Sequence, residues 1–130
     1  MSKESREKGN AMRTRLMGED YVKRVASSVY TDEHMKKFGD YAVEAVFGML
    51  WTRPGLDVKT RTLIVVVSDT VMGREAELAI HLRMALREGW TEDELTEAMM
   101  HLAGYIGLPL VREAMICAGE VFAEIRAEKK

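Results

Sequence analysis

The longest unbroken apolar run of this chain, residues 63–67 (Leu-Ile-Val-Val-Val), has the composition of a buried β-strand. A strand needs a second strand to pair with, and no stretch of strict apolar–polar alternation occurs among the 130 residues. The apolar positions around the run recur at helical spacing instead. We therefore predict a helix over residues 57–72 and an all-α fold for the chain. The positions that keep this spacing are Leu63, Val66, Val67, Thr70 and Val71.

Three polar residues, Ser68, Asp69 and Thr70, follow the apolar run on the same predicted helix. Because that helix is mostly apolar, we expect it to be largely buried. A buried polar group costs free energy unless it is hydrogen-bonded. The sequence therefore predicts that these three side chains have partners or face a cavity.

Helical spacing and turn residues divide the rest of the chain in the same way. We predict about six helices in a single domain, 1–130, which consists of an N-terminal helical arm (1–30) and a helical core (31–127). Gly18 breaks the first helix, Thr31 or Asp32 caps the third, and Thr91 and Glu94 form a capping box. Gly73 and Gly89 enclose a further helix.

Composition excludes several classes of function. A net charge of −2 gives no basic surface for nucleic acid, and the longest apolar run is too short to span a membrane. The charged N-terminus lacks the apolar core of a secretory signal, and the single cysteine, Cys117, cannot form an internal disulfide. We expect a cytoplasmic protein with Cys117 as a small buried residue. Neither a glycine-rich phosphate loop nor a nucleophile elbow occurs.

The helix between Gly73 and Gly89 has two stripes. Leu78, Leu82 and Ala85 form the apolar stripe. A carboxylate one turn before an imidazole can fix the tautomer of that ring, so the second stripe is a candidate catalytic surface. The competing interpretation is a solvated helix face. The second stripe consists of Arg74, Glu77 and His81, continued by Met84 and Glu88.

The next helix repeats the spacing with Glu97, His101 and Tyr105. If the two helices pack as an antiparallel hairpin, their Glu/His pairs approach one another. One interpretation is a metal site, which we disfavour because dinuclear carboxylate bundles space Glu and His three residues apart. The second is a metal-free acid/base pocket in which arginines hold an anionic substrate. A third makes His101 a hydrogen-bonded interface residue.

Taken in order, these motifs resemble the carboxymuconolactone decarboxylase family. The resemblance extends upstream into the decarboxylase branch, through 6–9 and 16–22 and through Phe47-Gly-x-x-Trp-x-Arg-Pro-Gly-Leu56. The downstream motifs are Leu56-Asp-x-Lys-Thr-Arg61, Gly73-Arg-x-x-Glu-Leu-x-x-His81, Ala85-Leu-Arg-x-Gly89, Thr91-x-x-Glu-Leu-x-Glu97 and Tyr105-x-Gly-x-Pro109.

The resemblance implies an AhpD-like helical bundle that assembles as a homotrimer or homohexamer, with pockets at or near subunit contacts. The alkylhydroperoxidase D branch uses Cys-x-x-Cys followed after three residues by His. Arg74 and Glu77 occupy those two cysteine positions here. Without the thiols a dithiol–disulfide cycle cannot run, so thiol peroxidase activity is disfavoured.

The activity implied by the resemblance is the conversion of 4-carboxymuconolactone to 3-oxoadipate enol-lactone, in protocatechuate breakdown. The substrate is a dicarboxylate lactone whose carbonyl accepts the electrons, so no cofactor is implied. We expect Arg61 and Arg74 to hold carboxylates, His81 to donate a proton and Glu77 to orient His81. The competing interpretation of each arginine is an ion pair. Two further substrate-binding candidates are His101 and Tyr105.

Two departures from the branch affect the expected substrate. Phe47 stands where the branch usually has Trp, and residues 68–72 are more polar than the small apolar segment typical there. One alternative is therefore a paralogue that acts on another small lactone or keto acid. The other is a non-catalytic helical oligomer that binds a small acid.

Overall fold

The computed structural model describes residues 2–129, and its contacts divide into two compact units, one ending at Val58 and the other beginning at Lys59. All regular elements of the described range are helical, which confirms the all-α prediction. None of the helices in that range is long and apolar enough to cross a membrane. The elements are α1 (Lys3–Met17), α2 (Glu19–Ser28), α3 (Glu33–Ala42), a π-helical segment (Val43–Leu50), α4 (Val58–Met72), α5 (Glu75–Arg87), α6 (Glu92–His101), α7 (Ala103–Ile106) and α8 (Leu108–Glu128).

Side-chain caps form at two of the predicted helix starts, those of α3 and α6. Asp32 caps α3 by accepting the backbone N–H of Met35 at 2.8 Å. Thr91 and Glu94 form the predicted capping box of α6, with each side chain accepting the other residue's N–H at 3.0 Å. The helix that was predicted to carry Glu97, His101 and Tyr105 is interrupted, since α6 ends at His101 and the single turn α7 follows.

In the first unit, α1 crosses the π-helical segment with almost no side chain between the two backbones. A Cβ atom on Gly9 would lie 2.0 Å from the Val43 carbonyl oxygen, and one on Gly48 would lie 2.2 Å from that of Ser5. Both glycines are buried. The crossing therefore requires glycine at both positions.

The π-helical segment changes which residues α3 and its continuation bury. A π-turn contains more residues than an α-turn, so the face set by α-helical spacing shifts after Ala42. From apolar spacing we expect one continuous helix to about Trp51 that buries Phe38, Met49 and Leu50, but all three are exposed. Val43 and Gly48 are buried instead.

The second unit is built around α8, which packs against α5, α6 and α7. The predicted apolar stripe of α5 is buried in this core, together with Leu95 and Met99 of α6 and Val66 of α4. Met84, which we expected on the polar stripe of α5, is only 1% exposed and belongs to the interior. The core cluster comprises Val66, Leu78, Leu82, Ala85, Leu95, Met99, Ala114, Cys117, Ala118, Val121 and Phe122.

We predict that Gly9→Ala lowers the free energy of unfolding, although alanine is the better helix former. The added methyl group has no room beside Val43, and overpacking of this kind costs about 1–3 kcal/mol. Gly119 in α8 has open space around its Cβ position and is the matched control. Gly119→Ala should raise the stability by up to about 1 kcal/mol. Urea denaturation followed by circular dichroism measures both, and equal stabilisation by the two variants would contradict the close crossing.

Candidate active site

The second unit contains a hydrogen-bonded pair of titratable side chains, Asp69 of α4 and His81 of α5. The Asp69 carboxylate contacts Nδ1 of the His81 ring. Asp69 is only 9% exposed, and the His81 side chain is largely buried as well. A buried carboxylate on an imidazole is a common arrangement of catalytic histidines.

The turn between α4 and α5 places this pair. Gly73 adopts a positive φ of 67°, which ends α4 and favours glycine. The backbone N–H of Arg74 then donates to the carbonyl of Asp69 at 2.9 Å. Asp69 thus lies in the last turn of α4. Its carbonyl accepts the hydrogen bond from Arg74, and its side chain contacts the imidazole of His81.

The other polar residues of this stretch also have partners, as predicted. The Thr70 hydroxyl donates to the carbonyl of Val66 at 2.9 Å, and the Ser68 hydroxyl lies 3.8 Å from the sulfur of Met72. Within residues 2–129, no buried side-chain nitrogen or oxygen lacks a hydrogen-bond partner. Asp69 therefore satisfies its buried carboxylate through His81.

The Asp69 contact determines which ring nitrogen is available for chemistry. An ionised carboxylate only accepts hydrogen bonds, so Nδ1 of His81 carries the proton that is donated to Asp69. Nε2 is then the nitrogen that can exchange a proton with another molecule. The arrangement can deliver a proton from one fixed position.

Glu77, one turn before His81 on α5, lies on the Nε2 side of the ring. Its Oε2 is 3.8 Å from Nε2, which is an ion-pair distance and longer than a hydrogen bond. The Glu77 side chain is about half exposed. That Glu77 orients His81 stays a prediction, because the hydrogen bond that the structure shows for the ring is the one that Asp69 accepts.

The two arginines lie at the N-terminal ends of α4 and α5. Arg74 precedes α5, is exposed and lines a crevice beside Asp69, which Glu113 also lines. This crevice is too narrow to admit a water molecule. Arg61 lies in the first turn of α4 and is partly buried, about 12 Å along the helix axis from Asp69.

His101 and Tyr105 form a separate local pair. Their rings lie 5.4 Å apart at an angle of 41°, and both side chains are exposed. Within the described part of the chain, no hydrogen bond, ion pair or ring contact joins either residue to His81. Nor does that part contain a group of three or more His, Cys, Asp or Glu side chains that could hold a metal ion.

Asp69 is the candidate functional residue that helical spacing did not single out as a partner of His81. The two residues are twelve positions apart and lie on different helices, so no i, i+4 rule connects them. The signal in the sequence was the carboxylate itself, on a helix whose apolar composition predicts burial. That signal predicts a partner without identifying it.

Cys117 of α8 is buried, as predicted, and its Sγ lies 3.4 Å from the carbonyl oxygen of Glu75. Burial raises the pKa of the Cys117 thiol above its ordinary value, and the carboxylates of Glu75, Glu120 and Glu124 raise it further. A raised pKa lowers the thiolate fraction, and the thiolate is the reactive form. The environment of Cys117 is therefore that of an inert thiol.

A model of the carboxymuconolactone decarboxylase family matches residues 36–120, which include Asp69 and His81. The chain belongs to the carboxymuconolactone decarboxylase family. It is 36% identical over 126 residues to a 4-carboxymuconolactone decarboxylase from Acinetobacter baylyi, which is 96% of this chain and 92% of the relative. The family resemblance drawn from the motifs is thereby confirmed.

Two further relatives widen the range of family members. A nitrosuccinic acid decarboxylase from Metarhizium robertsii is 34% identical over 112 residues, which cover 85% of this chain and 76% of the relative. An uncharacterized 15.0 kDa protein from Paracoccus denitrificans is 38% identical over 84 residues, or 63% of each chain. The relatives that carry an activity in their names are thus decarboxylases of two different acids.

The raised pKa of Cys117 leads to a test of its inertness. In the native protein at pH 8, iodoacetamide should alkylate Cys117 about tenfold more slowly than free cysteine, or slower still, because the thiol is buried and largely protonated. Mass spectrometry over time measures the rate, and the urea-unfolded chain should react as fast as free cysteine. Rapid alkylation of the native protein would show that Cys117 is an accessible thiolate.

Proposed function

We propose that this protein is a cofactor-free decarboxylase that converts 4-carboxymuconolactone to 3-oxoadipate enol-lactone and CO₂. Support comes from the similarity to a decarboxylase named for that substrate across nearly the whole chain. The observation that carries the proposal is the buried Asp69–His81 pair, which presents one ring nitrogen for proton transfer.

The proposed reaction needs an electron sink and one proton. The bond between the γ-carbon of the lactone and its carboxylate breaks, and CO₂ leaves. The electron pair passes through the ring double bond onto the lactone carbonyl, which gives a furanolate-like anion. A proton then adds to the ring carbon next to that carbonyl and completes the enol-lactone. The carbonyl is the electron sink, so the reaction requires no cofactor.

In this proposal the imidazolium form of His81, which carries a proton on both ring nitrogens, supplies the proton from Nε2 and is left as the neutral ring with its remaining proton on Nδ1. Asp69 holds the opposite nitrogen, so the ring keeps one orientation while the proton moves. The same N–H stabilises the negative charge that develops on the substrate before transfer. Glu77, which is half exposed and 3.8 Å from Nε2, returns a proton from water to the ring.

Arg61 and Arg74 bind the two carboxylates of the substrate. Charge-assisted hydrogen bonds from arginine suit carboxylates, and Arg74 lies beside the crevice at Asp69. The carboxylate that remains keeps its charge throughout the reaction, whereas the one that leaves becomes neutral CO₂. A strong contact to the leaving carboxylate would stabilise the ground state more than the transition state. The closer arginine contact is therefore assigned to the carboxylate that remains on the product.

We further propose that the active form is a homotrimer or homohexamer in the cytoplasm, with His101 and Tyr105 at the substrate pocket. Several large apolar side chains of the second unit are exposed, among them Met72 at 66% and Leu108 at 72%. Exposed apolar surface of this kind marks association sites. The crevice beside Asp69 is too narrow to hold the substrate, so residues of a neighbouring copy would form part of the pocket. Sedimentation as a 14.7 kDa monomer at micromolar concentration would contradict the assembly.

A second candidate function is decarboxylation of another small acid that has an electron-withdrawing group next to the leaving carboxylate. The similarity to a relative named for nitrosuccinic acid favours this alternative. The Asp69–His81 pair would protonate any such carbanion in the same way. Comparison of kcat/KM for 4-carboxymuconolactone and for small nitro and keto acids separates the two candidates.

We predict that His81→Ala reduces the rate of CO₂ release from 4-carboxymuconolactone by about 10²–10⁴-fold, the usual range for loss of a general acid. Asp69→Asn should lower kcat more than it changes KM, because the variant misorients the ring without removing a substrate contact. His34→Ala, an exposed histidine in the first unit, is the matched control and should keep full activity. Release of ¹⁴CO₂ from labelled substrate measures all three.

Two results would contradict the proposal. Unchanged turnover of every tested acid in His81→Ala would exclude His81 as the proton donor. Failure of the folded wild-type protein to decarboxylate any tested lactone, nitro acid or keto acid would favour the non-catalytic small-acid-binding oligomer.

A further inference from the structure

The first unit contains a cleft of about 150 Å³ that the proposed decarboxylation does not use. It is lined by residues of α1, of the end of α2 with the following loop, and of α3 with its π-helical continuation. Its polar lining consists of Asn10, Arg13, Tyr30, Lys36 and Asp40. Val43 and Phe47 form its apolar side.

The cleft carries two cations that are not neutralised by carboxylates. The Arg13 guanidinium lies over the Tyr30 ring at 5.3 Å from the ring centroid. Neither Arg13 nor Lys36 makes an ion pair with another described residue. Asp40, an acid on the same wall, lies 3.9 Å from a nitrogen of Arg6, which also pairs with Glu44 at 3.1 Å. The two cations of the cleft thus outnumber its one acid. The cleft is therefore suited to an anion.

The shape of the cleft depends on how Tyr30 packs. A ring carbon of Tyr30 lies 2.9 Å from the position that a Cβ on Gly39 would take, so the absence of a side chain there lets the ring lie against α3. The fixed Tyr30 ring and the Phe47 ring both border the cleft. A cleft with about 150 Å³ of free space is large enough for one benzene ring.

We propose that this cleft is a binding site for a small aromatic carboxylate. The carboxylate would lie on Arg13 and Lys36, and the ring would pack against Tyr30, Phe47 and Val43. A pocket that combines apolar surface with a few placed polar groups is the usual form of a small-molecule site. Inorganic phosphate would use the cations and leave the apolar side unfilled, which is why a carboxylate on a ring is the better match.

The test titrates the full-length protein with 4-fluorobenzoate and follows the ligand by ¹⁹F NMR. Arg13→Met should weaken binding about tenfold, because it removes a charge-assisted hydrogen bond. Arg24→Met is the matched control: the Arg24 guanidinium also lies 5.3 Å from a tyrosine ring centroid, that of Tyr21, and does not line the cleft. This control should bind like the wild type.

Two further measurements test where the ligand binds and whether its binding depends on charge. Lys36 is exposed, so Lys36→Met should fold normally and still weaken binding severalfold. Binding should persist in His81→Ala, since every residue that lines the cleft belongs to the first unit and His81 belongs to the second. The neutral analogue 4-fluorobenzamide should bind at least about tenfold more weakly than the carboxylate.

Three outcomes would overturn the proposal. Equal effects of Arg13→Met and Arg24→Met would show that the cleft arginine has no special role. Equal affinity for the amide would show that the cations do not recognise the ligand. Loss of binding in His81→Ala would place the carboxylate at the proposed catalytic site.

Discussion

The contact between the Asp69 carboxylate and Nδ1 of His81 is the interaction on which the proposed chemistry depends. It lies in a part of the molecule where neither group is well solvated, so each one satisfies the other. The turn at Gly73 and the backbone bond from Arg74 to Asp69 fix the end of α4 next to α5. The core below, built on α8, fixes α5 through Leu78 and Leu82. A rigid helical scaffold thereby holds a single imidazole in one orientation.

Much of this fold could be predicted from the sequence because the dominant signal, apolar spacing, is local. The run at 63–67 lacked a partner strand, and the caps at Asp32 and Thr91 are read within one turn. Two features could not be predicted in this way. The π-helical segment lies where two backbones approach closely at Gly9 and Gly48, and no local pattern reports that approach. Met84 is buried by its neighbours although its spacing placed it on the polar stripe.

In the candidate site too, contacts within one helix could be predicted from local spacing, whereas contacts between helices could not. His81 and Glu77 share one helix face, and their proximity is predicted by spacing alone. Asp69 is joined to His81 only by the tertiary fold, so the sequence predicted a buried carboxylate in need of a partner without naming the partner. The break of the helix at Leu102 and the pairing of His101 with Tyr105 show that a repeated spacing does not ensure a shared pocket. Which carboxylates Arg61 and Arg74 bind stays a prediction.

The tautomer of His81 tests the central claim most directly. In protein labelled with ¹⁵N at histidine, long-range ¹H–¹⁵N correlation spectra distinguish a protonated ring nitrogen from an unprotonated one. The account predicts that, in the neutral ring of the wild type, Nδ1 of His81 carries the proton and Nε2 does not, and that Asp69→Leu removes this preference. A wild-type ring protonated at Nε2, with Nδ1 bare beside Asp69, would contradict it.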